Sequence, residues 1–279
     1  MPDSMAKQLA GKTALVTGAG RGIGQGIAVV LASRGAAIAV SDITEAACAE
    51  TVALIKSNGG SAIATAADVT SQDSMNAATE RVLSEFGHMD IAVANAGVIG
   101  APGYEDRLTY TEADWEMTYR VNVKGLSHTA DAVFPHMKER RAGRIIVIAS
   151  HGGRPPRGIK QRPGTVSMPY STSKAAAIQF AHALAIDLAL HNINVNCVCP
   201  GTLWTPMWEK IAVNTVRHDP ALSGLKPRDV FARAIKASTP LGRGQTPEDI
   251  GRVVAFFASD DASEITGQAL NVNGGAVMS

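Results

Sequence analysis

The stretch TALVTGAGRGIGQGIAVVLASRG, residues 13–35, decides the fold. TALVT is a short apolar run that reads as a buried strand, and GIGQGIAVVLASRG reads as a helix. Between them TGAGRGIG, Thr17 to Gly24, forms the bend. Glycines there let the backbone approach a pyrophosphate, while the helix N-terminus adds N–H groups and a positive dipole end. The glycine pattern alone is weak. Its context, with a strand before it, a helix after it and an acid at the end of the next strand, makes it specific.

Working outward, the same rhythm repeats. Short apolar or β-branched runs are expected as strands at 36–42, 61–68, 90–96, 144–150, 193–200 and 268–273. Ala-rich amphipathic segments are expected as helices at 45–57, 71–86, 111–140, 169–190 and 247–258. Continuous apolar strands alternating with helices predict a parallel sheet covered on both faces, with right-handed crossovers. Two stretches break the rhythm. One is the basic segment 151–169; the other is 202–245, rich in Pro, Trp and Met and expected as an irregular helical excursion.

Composition narrows the class. The chain has 279 residues, 46% hydrophobic and 18% charged, which fits a globular domain with a large core. A net charge of +1 gives no electrostatic case for nucleic acid or acidic membranes. No apolar run approaches the roughly 18 residues of a spanning helix. MPDSMAKQLA lacks the apolar stretch of a signal peptide. Three cysteines, Cys48, Cys197 and Cys199, suggest a reducing, cytoplasmic setting without a disulfide framework. Cys197 and Cys199 would share one strand face, and they are expected to pack a core, because no partners stand at zinc spacing. No metal is expected.

Asp42 is the acid that ends the second strand. A carboxylate there accepts hydrogen bonds from both adenosine ribose hydroxyls and repels a 2′-phosphate, so NAD is expected over NADP. The third strand ends in Asp68-Val69, where the acid could bind the adenine amino group or cap the next helix. Farther along, YSTSK places Tyr170 and Lys174 at i, i+4 on one helix face. A nearby ammonium stabilises phenolate and lowers the phenol pKa from about 10, which makes proton exchange with an alcohol or carbonyl accessible near neutral pH. Other polar motifs cluster at strand ends: NAG (Asn95 to Gly97), IAS (Ile148 to Ser150) and PGTLWT (Pro200 to Thr205). VNVKG (Val121 to Gly125) lies on the long helix. Open α/β sheets bind ligands at those ends.

In this set and order, the motifs closely resemble the short-chain dehydrogenase/reductase family, in its TGxxxGxG/YxxxK branch. The resemblance covers about residues 8–276 and includes LGRGQTPED (241–249) and GQALNVNGG (267–275). It implies a single-domain, doubly wound Rossmann fold with a parallel seven-stranded sheet and helices on both faces, preceded by a short tail at residues 1–9. It implies a homotetramer acting on a small-molecule substrate with NAD. Tyr170 resembles the general acid/base, and Lys174 the lysine that binds the nicotinamide ribose. Ser150 resembles the serine that polarises the substrate oxygen. Asn122 resembles the asparagine that holds a relay water, or it kinks the helix. Gly18, Arg21, Gly22, Ile23 and Gly24 match the pyrophosphate turn, and Asp42, Asp68 and Val69 the adenosine contacts. Asn95, Ala96 and Gly97 match the pocket floor; Pro200, Gly201, Leu203 and Thr205 match the segment holding carboxamide and diphosphate.

The chain departs from the family at the serine, which normally stands closer to the tyrosine. Ser150 is preferred because it ends an apolar strand, and Ser167 is the competitor. The added residues form the basic segment, in which His151, Arg154 and Arg157 are candidates for binding an anionic or hydroxylated substrate. A solvated loop or a subunit contact is the alternative. Trp204, Met207 and Trp208 are expected to form a lid over the nicotinamide or to pack the excursion onto the body. The leading expectation is an alcohol dehydrogenase or ketone reductase. The others are a non-catalytic NAD-binding protein and an epimerase or dehydratase that retains NAD.

Overall fold

The computed structural model describes residues 8–155 and 168–278. The expected positions Arg157 and Ser167, and most of the N-terminal tail, lie outside the described residues. Seven strands form one sheet: β1 (Thr13–Thr17), β2 (Ala37–Asp42), β3 (Ala62–Ala66), β4 (Ile91–Ala94), β5 (Gly143–Ile148), β6 (Ile193–Pro200) and β7 (Ala269–Val272). Their order is β3-β2-β1-β4-β5-β6-β7, and every pairing is parallel. The order reverses between β1 and β4, so a crevice opens beyond the carboxyl ends of those two strands.

The strands read as continuous apolar runs because each is buried on both faces. Leu15, Ile145, Val195, Cys197 and Cys199 point into one core layer. Their neighbours Val16, Ile146 and Val198 point into the other. Helices supply the opposing surfaces: Met75, Val82 and Leu188 on the first face, Ile27, Leu31 and Val254 on the second. Each such fully buried aliphatic side chain contributes roughly 1.5–3 kcal/mol. Cys197 and Cys199 share a face, as their spacing predicts, and both are buried thiols.

The helices are α1 (Gly22–Ser33), α2 (Glu45–Ser57), α3 (Gln72–Phe86), α4 (Glu112–Tyr119), α5 (Gly125–Arg140), α6 (Met168–Ala189), α7 (Pro206–His218), α8 (Pro227–Ser238) and α9 (Pro247–Ala258). Thr44, Ser71, Thr111, Thr205 and Thr246 cap α2, α3, α4, α7 and α9 by accepting a backbone N–H. The single long pattern expected at 111–140 is interrupted. Arg120–Lys124 forms a π-helical turn between α4 and α5, centred on Asn122. The excursion is the helical pair α7 and α8, and a parallel bridge between Leu203 and Gln245 closes its base. None of the described helices is long and apolar enough to cross a membrane.

Candidate active site

The glycine turn comes first, because the backbone alone fixes it. Gly22 adopts φ +61°, a conformation natural to glycine, and a Cβ there would meet nothing closer than Pro206, at 3.8 Å. The turn therefore stands against Thr205 and Pro206 at the start of α7, at the crevice end of the sheet. Gly24 is constrained the other way: a Cβ would lie 2.3 Å from the Gly18 carbonyl oxygen. Arg21 is extended at the N-terminus of α1 and gives no side-chain cap, unlike the capped helices above. Uncapped N–H groups at the crevice end of the sheet fit a diphosphate.

Asp42 stands beside this turn. Its carboxylate accepts the Gly20 N–H at 3.0 Å and the Ile43 N–H at 2.8 Å. Asn95, beyond β4, fastens the turn from the other side: its amide donates to the carbonyls of Thr17 at 2.8 Å and Gly18 at 3.0 Å. The Thr17 hydroxyl accepts the N–H groups of Asn95 and Ala96, a bracing role that the sequence reading missed. Asp68 is not a helix cap. Ser71 caps α3, and Asp68 braces the preceding turn through the Thr70 N–H and hydroxyl, each at 2.8 Å. Val69 is buried against Gly125, and its carbonyl faces the His128 ring at 2.9 Å. Pro200 ends β6, the Gly201 N–H bonds to Val272 at 3.0 Å, and Thr205 caps α7. These residues line one end of the sheet, as the motif spacing predicts.

Ser150, Tyr170 and Lys174 meet on the neighbouring side. Ser150 follows β5 after Ala149 and is 7% exposed; Lys174, on α6, is 5% exposed. The Lys174 ammonium donates to the Ile148 carbonyl at 2.9 Å and lies 5.8 Å from the Tyr170 ring centre. Burial pulls the Lys174 ammonium down to about 8. Burial also pushes the Tyr170 hydroxyl above the ordinary phenol value, and a hydrogen bond with Ser150 acts in the opposite direction. The net direction at Tyr170 is thus opposite to the lowering that the Tyr–Lys spacing suggests. Desolvation is the largest cause of the shift at each group.

Asn122 occupies the π-helical turn and ties backbone to backbone. Its side-chain oxygen accepts the Val98 N–H at 2.8 Å, and its amide donates to the Val98 carbonyl at 2.9 Å and the Ser173 hydroxyl at 3.0 Å. Ser173 donates in turn to the Tyr170 carbonyl at 2.7 Å, a link absent from the sequence reading. Gly97 packs where a Cβ would lie 3.3 Å from both Asn122 Oδ1 and Lys174 Nζ. The floor segment, the π turn and the lysine are therefore in mutual contact.

Among the described candidate substrate residues, Arg154 and the two tryptophans bond or pack within the protein itself. Arg154 does not face the pocket: its Nε donates to Asn271 at 3.1 Å, and its guanidinium also bonds the Ala269 carbonyl on β7. A fork-shaped donor set finds two fixed acceptors on the edge strand. Trp204 packs edge-on to Phe231 of α8 with 5.3 Å between ring centres, beneath the Arg228 guanidinium at 4.0 Å. Trp208 meets the same ring at 5.0 Å. Trp208 holds α7 to α8, and Trp204 holds the segment before α7 to the same helix. His151 follows Ser150; burial lowers its pKa, and its Nδ1 is buried without a hydrogen-bond partner among the described residues.

The excursion is tethered to the loop after β4. Lys210 bonds Glu105 at 2.7 Å, Arg217 pairs with Asp106, and Asn214 donates to the carbonyls of Glu105 and Arg107, both at 2.9 Å. The loop itself hangs on Asp114, which is fully buried. That carboxylate accepts from the Ala101 N–H at 2.8 Å, the Thr111 N–H at 2.8 Å and Arg107 at 2.5 Å. Burial opposes its charge, but these hydrogen bonds outweigh it and hold the carboxyl below its ordinary value. The one mark of Asp114 in the sequence is the Thr111-x-x-Asp114 capping box that opens α4.

The likeness to known proteins runs along nearly the whole chain. A family model described as enoyl-(acyl carrier protein) reductase matches residues 18–277. Hydroxynaphthalene reductase-like protein Arp2 of Metarhizium majus is 35% identical over 97% of this chain and 97% of its own length. The structure of NAD⁺-bound xylitol dehydrogenase superposes with a TM-score of 0.82 at 33% identity, covering 96% of this chain and 100% of that one. A 7α-hydroxysteroid dehydrogenase complexed with NADH and 7-oxo glycochenodeoxycholic acid superposes with a TM-score of 0.81 at 32% identity, covering 100% and 98%. The chain belongs to the short-chain dehydrogenase/reductase family, and its homologues are reductases and dehydrogenases.

Proposed function

We propose that the protein is an NAD-dependent oxidoreductase that interconverts a secondary alcohol, such as a polyol, sugar or hydroxy acid, and its ketone. The observation that carries this reading is the convergence of Ser150, Tyr170 and Lys174 beside the crevice bordered by the glycine turn and Asp42. The turn from Gly18 to Gly24 would hold the diphosphate, Asp42 the adenosine ribose and Lys174 the nicotinamide ribose. Asp42 favours NAD because a carboxylate repels a 2′-phosphate. The two structural neighbours whose complexes contain NAD⁺ or NADH support the same choice, and the xylitol enzyme supports a polyol. NAD supplies the hydride acceptor for oxidation and, when reduced, the hydride donor.

The chain's own groups handle the oxygen and the proton. Ser150 hydrogen-bonds the substrate oxygen as its charge changes. Tyr170 Oη takes the hydroxyl proton in oxidation and returns it in reduction. Asn122 and Ser173 fix α6 against the π turn, so that Tyr170 and Lys174 keep their spacing. Burial favours the protonated phenol, so reduction is the direction ready at neutral pH. Oxidation needs the phenolate; its rate should rise with pH through the alkaline range, while reduction falls.

The test is NADH formation and consumption with polyols, sugars and hydroxy acids, in both directions and with NADP in parallel. Turnover with NAD and the opposed pH trends support the proposal. Product without net NADH would point to an epimerase or dehydratase, and cofactor binding without turnover to a binding protein. We also propose a homotetramer in the cytoplasm, which light scattering of the purified protein tests for assembly and cell fractionation for location.

A further inference from the structure

We infer that Arg154 is a positioning residue that holds the Ser150 hydroxyl by clamping its turn to the edge strand β7. This rests on the reading of Ser150 as the group that binds the substrate oxygen. Ser150 is followed by a single 3-10 turn, His151–Gly153, and the Ser150 hydroxyl accepts the Gly152 N–H at 3.0 Å. Its direction is therefore set by where that turn lies. A Cβ on Gly152 would come within 3.8 Å of the Tyr170 ring, so the turn also passes over the tyrosine.

The turn is held from two sides. Gly153 abuts α6 so closely that a Cβ would lie 2.5 Å from the Lys174 carbonyl carbon. That contact fixes how near the turn stands to the helix but provides no directional bond. Arg154 provides the direction. Its N–H closes the turn onto the His151 carbonyl at 3.1 Å. Its Nε then donates to Asn271 at 3.1 Å and its guanidinium to the Ala269 carbonyl. β6 lies between, with Cys197 beside Ala269 and Cys199 beside Asn271 in register. One side chain thus spans from the end of β5 across β6 to β7.

Two bonds to fixed acceptors restrain a planar fork in both position and rotation, which a lysine cannot reproduce. A misplacement of about 1 Å in a reacting group is enough to cost orders of magnitude in rate. The first arginine of the basic segment thereby acts on the reaction through Ser150, without touching substrate.

The test is a double-mutant cycle on the full-length enzyme, using the best alcohol found in the substrate panel. Arg154→Ala should lower kcat by about 10-fold, with KM and NADH affinity within about threefold. Arg154→Lys should not rescue it. In a Ser150→Ala background, Arg154→Ala should cost less than about twofold more, because the group it positions is gone. Asn271→Leu, which breaks the clamp from its far end, should lower kcat in the same way and covers the case in which Arg154→Ala fails to fold. Full multiplication of the two losses, an unchanged kcat, rescue by lysine, or an effect confined to KM of an acidic substrate would overturn the clamp. If Ser150→Ala alone keeps full activity, the reading of Ser150 fails, and that result is distinct from the others.

Discussion

The two ends of the crevice are built by different means. At the nucleotide end the backbone carries the design: glycines fix where the chain can bend and approach, and the bonds that hold the turn meet main-chain groups, as from Gly20 to Asp42 and from Asn95 to Thr17 and Gly18. At the substrate end, side chains carry it, and their partners are distant in sequence. Arg154 reaches β7, Asn214 reaches the loop after β4, and Arg217 pairs with Asp106. Arg154, which suggested a grip on an anionic substrate, instead fastens one segment to another. A charged residue near a pocket is therefore poor evidence for a charged ligand until its partners are known.

If that contrast holds, breaking a tether should damage the substrate end and spare the nucleotide end. The largest effect is expected at Asp114. Asp114→Asn places an amide where several donors converge, and should cost about 3 kcal/mol of stability at pH 7. It should also raise KM for substrate while NADH affinity holds. Because the Asp114 carboxyl is held below its ordinary value, its contribution is full at neutral pH and is lost as pH falls through the folded-state value. Denaturation at pH 7 and at acid pH should therefore show the gap between wild type and Asp114→Asn closing as pH falls.

The nucleotide end offers the converse test. Asp42→Ala removes the carboxylate expected to repel a 2′-phosphate. Its ratio of kcat/KM for NAD over NADP should fall by about 30-fold, or about 2 kcal/mol, with little change in the substrate KM. A smaller effect is expected inside the excursion. A double-mutant cycle between Trp208 and Phe231, read by thermal or urea denaturation, should give a coupling of about 1 kcal/mol. A coupling near zero would mean the tryptophan serves the crevice more than the α7–α8 contact.

The contrast also explains what could be read from the chain. The sheet was legible because its strands are buried on both faces and leave continuous apolar runs, as at Ile145 to Ile148. The glycine turn, Asp42 and the Tyr170–Lys174 pair were legible because each is a local pattern. The π turn at Asn122 was not separable from a long helix, since one added backbone residue per turn leaves no compositional mark. Arg154 was misread because its acceptors on β7 lie 115 and 117 residues away. Burial at Tyr170 was not legible for a related reason: spacing reports the neighbouring lysine, whereas burial depends on the assembled fold.

The central claim is that Tyr170 moves the proton in a site whose nucleotide end is independently built. It is tested most directly by measuring NADH binding and turnover on the same sample of Tyr170→Phe. NADH affinity should stay within about threefold of wild type while kcat falls by about 10³. Turnover within tenfold of wild type, or a loss of NADH binding as large as the loss of turnover, would contradict it.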